Sequence, residues 1–283
     1  MLVPTFDMLA NARKKGYAVC GFESWDSGAI NAIITAAEDE RSPVIVQASE
    51  KELEYVGIEL YAVMAIEAAK RSTVPVAVHL DHGFTTNLVI KCIRQGFTSV
   101  MIDASKLPFE RNVATTREVV KIAHAVDVSV EAMLGKVGQT REGATAIVAE
   151  DFMTDPDEAA SFVSQTDVDS LAVSIGSVSG LQSQIATLNL QRLREINKSV
   201  KIPLVLHGGT GVPEEQIREA IRLGISRMHI ATALWQAYQR GYHKLLSSSA
   251  YVDIYTLLDS VQEDMKDLVK SKLRLFGSPG RAV

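Results

Sequence analysis

Cysteine is scarce: Cys20 and Cys92 are the only two in 283 residues, which excludes a disulfide framework and fits a reducing, cytoplasmic setting. Aromatic residues make up only 6% of the chain, and no apolar run approaches the roughly 20 residues that a membrane helix needs. The opening MLVPTFDMLANARKKGYAV lacks the apolar core of a secretory signal. Basic charge is not in excess either. Lys and Arg number 29 against 34 Asp and Glu, a net charge of −5, so neither nucleic acid nor a membrane surface is an expected partner. Linkers rich in Pro, Gly or Ser and low-complexity tracts are missing too, and residues 1–283 are therefore expected to form one domain. What the chain does have is apolar residues, at 47%, enough for a sizeable core.

Those apolar residues fall into eight short, β-rich runs: 17–22, 43–47, 74–80, 98–103, 128–134, 170–175, 202–207 and 225–230. Each is almost continuously hydrophobic, as strands buried on both faces of a parallel sheet are. The segments between them have helical periodicity, most clearly at 29–40, 53–70 and 113–125. Eight strands alternating with helices, in a chain a little above the ~250 residues usual for it, predict a (β/α)8 TIM barrel within the α/β class. A doubly wound open sheet is the competitor, although it more often has fewer strands. A leading helix over 5–14 is placed to close the barrel, and a C-terminal helix over about 250–272 is an extra element for packing or oligomerisation.

In such a barrel, chemistry is built at the C-terminal ends of the strands. Four of the six histidines lie there: His79 and His82 after the third strand, His207 after the seventh and His229 in the eighth. His124 and His243 fall on predicted helices. The segment His79-Leu80-Asp81-His82-Gly83 sets a carboxylate beside imidazoles, a natural arrangement for a divalent metal with an adjacent acid/base. The bland alternative is a hydrogen-bonded polar strand end. A second cluster, His207-Gly208-Gly209-Thr210-Gly211-Val212-Pro213-Glu214, combines backbone freedom with a helix first turn, whose free N–H groups suit an anion. Thr232, after the eighth strand, is the expected N-cap of the next helix. Cys20 and Cys92 read as core residues, and Trp25 and Trp235 as packing or interface residues.

At these motifs the chain resembles the class II ketose-bisphosphate aldolases, the fructose- and tagatose-bisphosphate aldolase type. The resemblance runs through VPVAVHLDHG (74–83), GFTSVMIDAS (96–105), LPFERN (107–112), VSVEAMLGKVG (128–138), DSLAVSIG (169–176), PLVLHGGTG (203–211) and LFGSPGRA (275–282). It implies reversible aldol cleavage of a ketose (bis)phosphate to dihydroxyacetone phosphate and an aldehyde. A divalent metal, usually zinc, serves as electrophile, and Asp81 as acid/base. A small phosphorylated sugar as partner and a homodimer or homotetramer are likewise implied. His82 and His207 match two of the family's three metal histidines. The third position holds Ser179, and His229, which replaces an asparagine, is available to supply the missing nitrogen. Substrate contacts are implied for Ser49, Ser179, Gly180, Gly208, Gly209, Thr210, Gly211, Ala231 and Thr232. Asp103 and Glu131 sit where the family places carboxylates around the metal. Arg141 replaces the family's mobile-loop glutamate, so Glu142 is the catalytic candidate beside it. Met133, Glu23 and Ala233 are further departures. With the third histidine replaced, a metal-free sugar-phosphate binder is the alternative reading. Schiff-base chemistry is disfavoured, because no lysine falls within a predicted strand.

Overall fold

The computed structural model describes residues 1–136, 138–139 (main chain only), 152–181, 185–247 and 251–282. Eight parallel strands close into a barrel: β1 (Val19–Glu23), β2 (Val44–Ser49), β3 (Val76–Gly83), β4 (Ser99–Ile102), β5 (Ser129–Leu134), β6 (Ser170–Val173), β7 (Leu204–Leu206) and β8 (Ile225–Ile230). The order around the barrel is β1-β8-β7-β6-β5-β4-β3-β2, each strand beside its sequence neighbours, and β8 closes onto β1. Every predicted apolar run holds one strand. Two further parallel strands of two residues, Gly138–Gln139 and Val178–Ser179, pair outside the barrel at its mouth.

Helices α1 (Phe6–Lys15), α2 (Ser27–Asp39), α3 (Glu50–Val56), α4 (Ile58–Arg71), α5 (Thr86–Arg94), α6 (Phe109–His124), α7 (Pro156–Thr166), α8 (Leu190–Ser199), α9 (Glu214–Arg222), α10 (Thr232–Leu246) and α11 (Ile254–Phe276) make up the rest. Local chemistry fixes several of their starts. Asp26 accepts from Ala29 N–H ahead of α2, and Asp155 followed by Pro156 opens α7. The helix expected over 53–70 is two, α3 and α4, parted at Gly57, whose φ of 90° no helix accommodates.

Helix α11 buries Val261, Met265, Val269, Leu273 and Phe276, a stripe at the i, i+4 and i, i+3 spacing that faces one side. At roughly 1.5–3 kcal/mol for each fully buried large apolar side chain, that stripe holds α11 onto α10 and α2. The C-terminal segment then returns to the barrel bottom. Gly280 and Ala282 donate N–H groups to the carbonyls of Glu40 and Arg41, and Ser42 Oγ bonds Ser278 Oγ at 2.8 Å. No helix among the described residues is long and apolar enough to cross a membrane.

Candidate active site at the barrel mouth

Side chains alternate along a strand, so every second residue of each barrel strand points inward. Near the strand C-termini this puts Glu23, Gln47, His79, Asp81, Glu131, His207, Arg227 and His229 into one buried cluster. The β3–β4 register shifts between Leu80 and Gly83, and His82 takes a left-handed conformation with φ 48°. A regular strand sends consecutive residues to opposite faces. The irregularity at His82 lets it join Asp81 at the mouth, and a non-glycine residue held at positive φ is the kind of strain that functional sites retain.

Hydrogen bonds set which atom each ring presents. His82 Nδ1 lies 2.8 Å from Asp103 Oδ2, and Asp103 Oδ1 is held in turn by Ser105 Oγ at 2.6 Å. His207 Nε2 lies 2.8 Å from Glu131 Oε1. The remaining nitrogens, His82 Nε2 and His207 Nδ1, are 4.0 and 3.8 Å from Asp81 Oδ1, and His229 Nδ1 is 3.2 Å from the same oxygen. Three imidazoles thus converge on a buried carboxylate oxygen that has no hydrogen-bond partner. His207 stacks on His229 with ring centroids 3.8 Å apart.

Gln47 and Arg227, which sequence reasoning passed over, tie this cluster together. Gln47 Oε1 accepts from Arg227 Nη2 at 3.2 Å, and its Nε2 reaches Glu23 Oε2 at 3.1 Å, Asp81 Oδ2 at 3.0 Å and His229 Nδ1 at 2.8 Å. This is possible because residue 21 is glycine: a Cβ there would fall 2.1 Å from Gln47 Oε1. The signal for both residues was a polar side chain at an inward position of an otherwise apolar strand.

Electrostatics follow from the packing. Burial pushes the Asp81 carboxyl up, but His229, His82 and His207 outweigh it and hold Asp81 well below the usual carboxylate range. Burial opposes charge on His82, yet Asp81 and Asp103 raise it to about 9. Burial, followed by the neighbouring imidazoles of His229 and His82, lowers His207 to about 4. Burial, then the nearby Asp81 and Glu52, raises Glu23 well above its ordinary value.

Two adjoining cavities open here. The inner one, about 290 Å³, is lined by Glu23, Gln47, Ser49, Asp81, His82, Ser179, Gly180, His207, Gly208, Thr210, His229, Ala231 and Thr232, among others. The outer one, about 500 Å³, shares Ser49, His82 and Ser179 and adds Phe84, Asp103, Lys106, Met133 and Lys136. Gly208, at φ 70°, passes so close to Val178 that a Cβ would lie 2.8 Å from its carbonyl oxygen, and this seats the 207–211 loop against the 178–180 strand. Gly209 and Gly211 lie behind that loop, against Met228 and Leu181, rather than on the cavity wall.

Ser49 lines both cavities, while its Oγ donates to Glu52 in the capping box of α3 and its N–H donates to Glu23 Oε1 at 2.6 Å. Thr232 is not an N-cap: Ala231 caps α10, and Ala233 N–H donates to Thr210 Oγ1 at 3.2 Å, a cap supplied by the neighbouring loop. Glu142, like Arg141, lies outside the described residues.

The expected ligand trio of His82, His207 and His229 does not form one group. Asp81, His82 and His207 bring ligand atoms within 4.8 Å of one another, whereas His229 groups in the same way with His79 and Glu131. The reason is register: His229 pairs with Gly21 of β1, on the far side of Asp81 from His82. Two imidazole nitrogens with a carboxylate beside them suit a divalent transition metal, and the partnerless Asp81 Oδ1 is placed to take a proton next to them.

A family model described as fructose-bisphosphate aldolase class-II matches residues 3–281. The chain is 41% identical to the probable fructose-bisphosphate aldolase of Bacillus subtilis (strain 168), over 99% of both proteins. It is 38% identical to the sulfofructosephosphate aldolase of Alkalicoccus urumqiensis, over 97% of this chain and 96% of that protein. Among solved structures, the YdjI aldolase from Escherichia coli K12 superposes with a TM-score of 0.90 at 33% identity, covering all of both chains.

Proposed function

The chain belongs to the class II fructose-bisphosphate aldolase family, and from that premise we propose that it is an aldehyde-lyase that cleaves a ketose phosphate reversibly at its barrel mouth. What carries the reading is the convergence of the His82, His207 and His229 nitrogens on Asp81 Oδ1, beside the 207–211 glycine loop. His82 and His207 would hold a divalent cation, zinc by family precedent. His82 Nε2 and His207 Nδ1 would be its ligands, and Asp81 Oδ1, 4.0 and 3.8 Å from them, is left to take a proton. When bound, such a cation polarises the substrate's C2 carbonyl and stabilises the enediolate that forms.

The rest is done by the chain. Main-chain N–H groups around Gly180, Gly208 and Thr232, with the Thr210 loop, bind the phosphate of the dihydroxyacetone-phosphate half. Ser49 and Ser179 line the sugar's path. Asp81 Oδ1, held ionised by its neighbours, accepts the C4 hydroxyl proton. As that proton leaves, the C3–C4 bond breaks, its electron pair passes toward C2–C3, and the aldehyde departs. Return of a proton to C3 is assigned to Glu142. Gln47 holds Asp81 Oδ2 and so aims Oδ1 at the substrate. A cytoplasmic location and a homodimer or homotetramer belong to the same reading.

Retro-aldol assays on ketose phosphates, with protein stripped by chelator and then reloaded with zinc, test it. Asp81→Asn is expected to lower kcat/KM about 10²- to 10⁴-fold in a protein that still folds. A metal-free binder, the reading that Ser179 favours, predicts no cleavage of any ketose phosphate, and stabilisation by sugar phosphate that is indifferent to zinc and chelator.

A further inference from the structure

Inside the barrel lies a second group, of which only His229 also faces the mouth cavity. His79, Glu131 and His229 are 0%, 1% and 5% exposed, and their ligand atoms lie within 4.8 Å of one another. They come from β3, β5 and β8, so only closure of the barrel brings them together.

Their hydrogen bonds leave unfilled positions that face inward. His79 Nδ1 lies 2.8 Å from Ser99 Oγ and 3.5 Å from Arg227 Nη1, and Nε2 has no partner; in the tautomer that donates to Ser99, Nε2 presents a lone pair. His229 Nε2 likewise has no partner: the nearest carboxylate oxygen, Glu131 Oε1, is 3.7 Å away. Should that nitrogen bind a cation, the ring's hydrogen sits on Nδ1 with Asp81 Oδ1 3.2 Å away to accept it, and Gln47 Nε2, 2.8 Å from Nδ1, gives its two hydrogens to Glu23 and Asp81 instead. A carboxylate behind a ligating imidazole is the usual support of a metal histidine. Glu131 Oε1 accepts from His207, while Oε2 faces Arg227 Nη1 at 2.7 Å without hydrogen-bond alignment. Each buried polar atom left without a partner costs roughly 1–3 kcal/mol. Two unpartnered imidazole nitrogens, with the Glu131 carboxylate beside them, form a receptor for something that accepts lone pairs.

We infer that His79, Glu131 and His229 hold a second divalent transition-metal ion, separate from the one assigned to His82 and His207. Two imidazoles and a carboxylate are a ligand set that zinc and its neighbours favour over magnesium or calcium. The Arg227 guanidinium on the other oxygen of Glu131 repels a cation, so this site fills after the mouth site and more weakly. The inference stands on residues other than the two mouth histidines, and it holds whether or not the mouth cation serves aldol cleavage.

Full-length, metal-stripped protein titrated with Co²⁺ tests it. Two equivalents per chain are expected at saturation, the second weaker. His79→Gln is expected to reduce two equivalents to one, and His82→Ala also to one, so the two sites are lost separately. Saturation of the unmodified protein at one equivalent overturns the inference, as does a folded His79→Gln protein that still binds two. If His79→Gln fails to fold, anomalous diffraction from crystals of the unmodified protein soaked in Co²⁺ decides. A peak between His79 and His229 supports the site. A peak at the mouth alone, with a water bridging the three side chains, refutes it.

Discussion

The two ends of one barrel interior are filled in opposite ways. At the N-terminal end the inward positions Val19, Ile45 and Ala77 pack with Met8, Leu9 and Tyr17, and the polar groups are neutral hydroxyls. Thr5 Oγ1 and Ser129 Oγ lie 2.7 Å apart, and Thr5 N–H donates to Ser129 Oγ at 3.0 Å. Met101, Met133, Ala172 and Val205 form a second apolar cluster inside the barrel. The other inward positions of these strands carry Glu23, Gln47, His79, Asp81, Glu131, His207, Arg227 and His229. Apolar filling and satisfied hydroxyls stabilise the lower end outright. The upper end gathers buried charges whose desolvation offsets much of their mutual attraction, and it leaves His79 Nε2, Asp81 Oδ1 and His229 Nε2 without partners. The lower end is built for folding and the upper end for ligands, and substitutions should separate the two.

The largest expected effect comes from removing the one guanidinium in the upper cluster. Arg227 is fully buried, faces Glu131 at 2.7 Å and donates to Gln47. Arg227→Met leaves the Glu131 carboxylate uncompensated, with an expected loss of about 3–5 kcal/mol in chemical denaturation. Arg227→Met combined with Glu131→Gln is expected to recover part of that loss, because the stranded charge is removed too. A single variant as stable as the parent would show that the upper cluster is not held by ion pairing.

Next in size is the pH response of protein stripped of divalent cations. His82 at about 9 binds a proton more tightly folded than unfolded, so its contribution is fully present below about 6.5 and is lost as pH rises toward 9. His207 at about 4 is the reverse: between 4 and 6.5 the unfolded chain binds the extra proton, so stability rises with pH there. Together they place a maximum in Tm near pH 6.5. His82→Asn should remove the alkaline limb and His207→Asn the acidic one. The one titratable group in the packed cluster of the lower end is the Tyr17 phenol, which burial raises above its ordinary value, so that end contributes to neither limb.

How much of this was legible in the sequence follows the same division. The eight apolar runs located every barrel strand, because continuous hydrophobicity is all that a doubly buried strand requires. Asp81, His82 and His207 were found because they end those runs. Gln47 and Arg227 were passed over as strand residues, although their spacing puts Gln47 in line with Ile45, and Arg227 with His229, on the inward face. Three features depend on pairing between distant segments, and no local pattern encodes them. The irregularity at His82 turns two adjacent residues to one side. The Thr210 hydroxyl replaces Thr232 as the cap of α10. The β8 register carries His229 away from His82 toward His79 and Glu131. The break at Gly57 was visible as a glycine, but helical periodicity on both sides of it masked the turn.

The smallest effect belongs to the lower end and completes the contrast. Ile45 is wholly buried on β2 among Val19, Ala77 and the α1 side chains, two residues below Gln47. Ile45→Val removes one methylene from a packed layer, with an expected cost of about 0.5–1.5 kcal/mol. In a chain of this size that is a Tm shift of roughly 2–4 °C per kcal/mol. Cation stoichiometry, kcat and the pH of maximum stability should not move, because the methylene touches none of the charged groups. Measuring all four on one preparation gives the sharpest comparison. If loss of this methylene changes cation binding or kcat by more than about threefold, the two ends are mechanically coupled through β2, and the upper cluster owes its geometry to the packing below it.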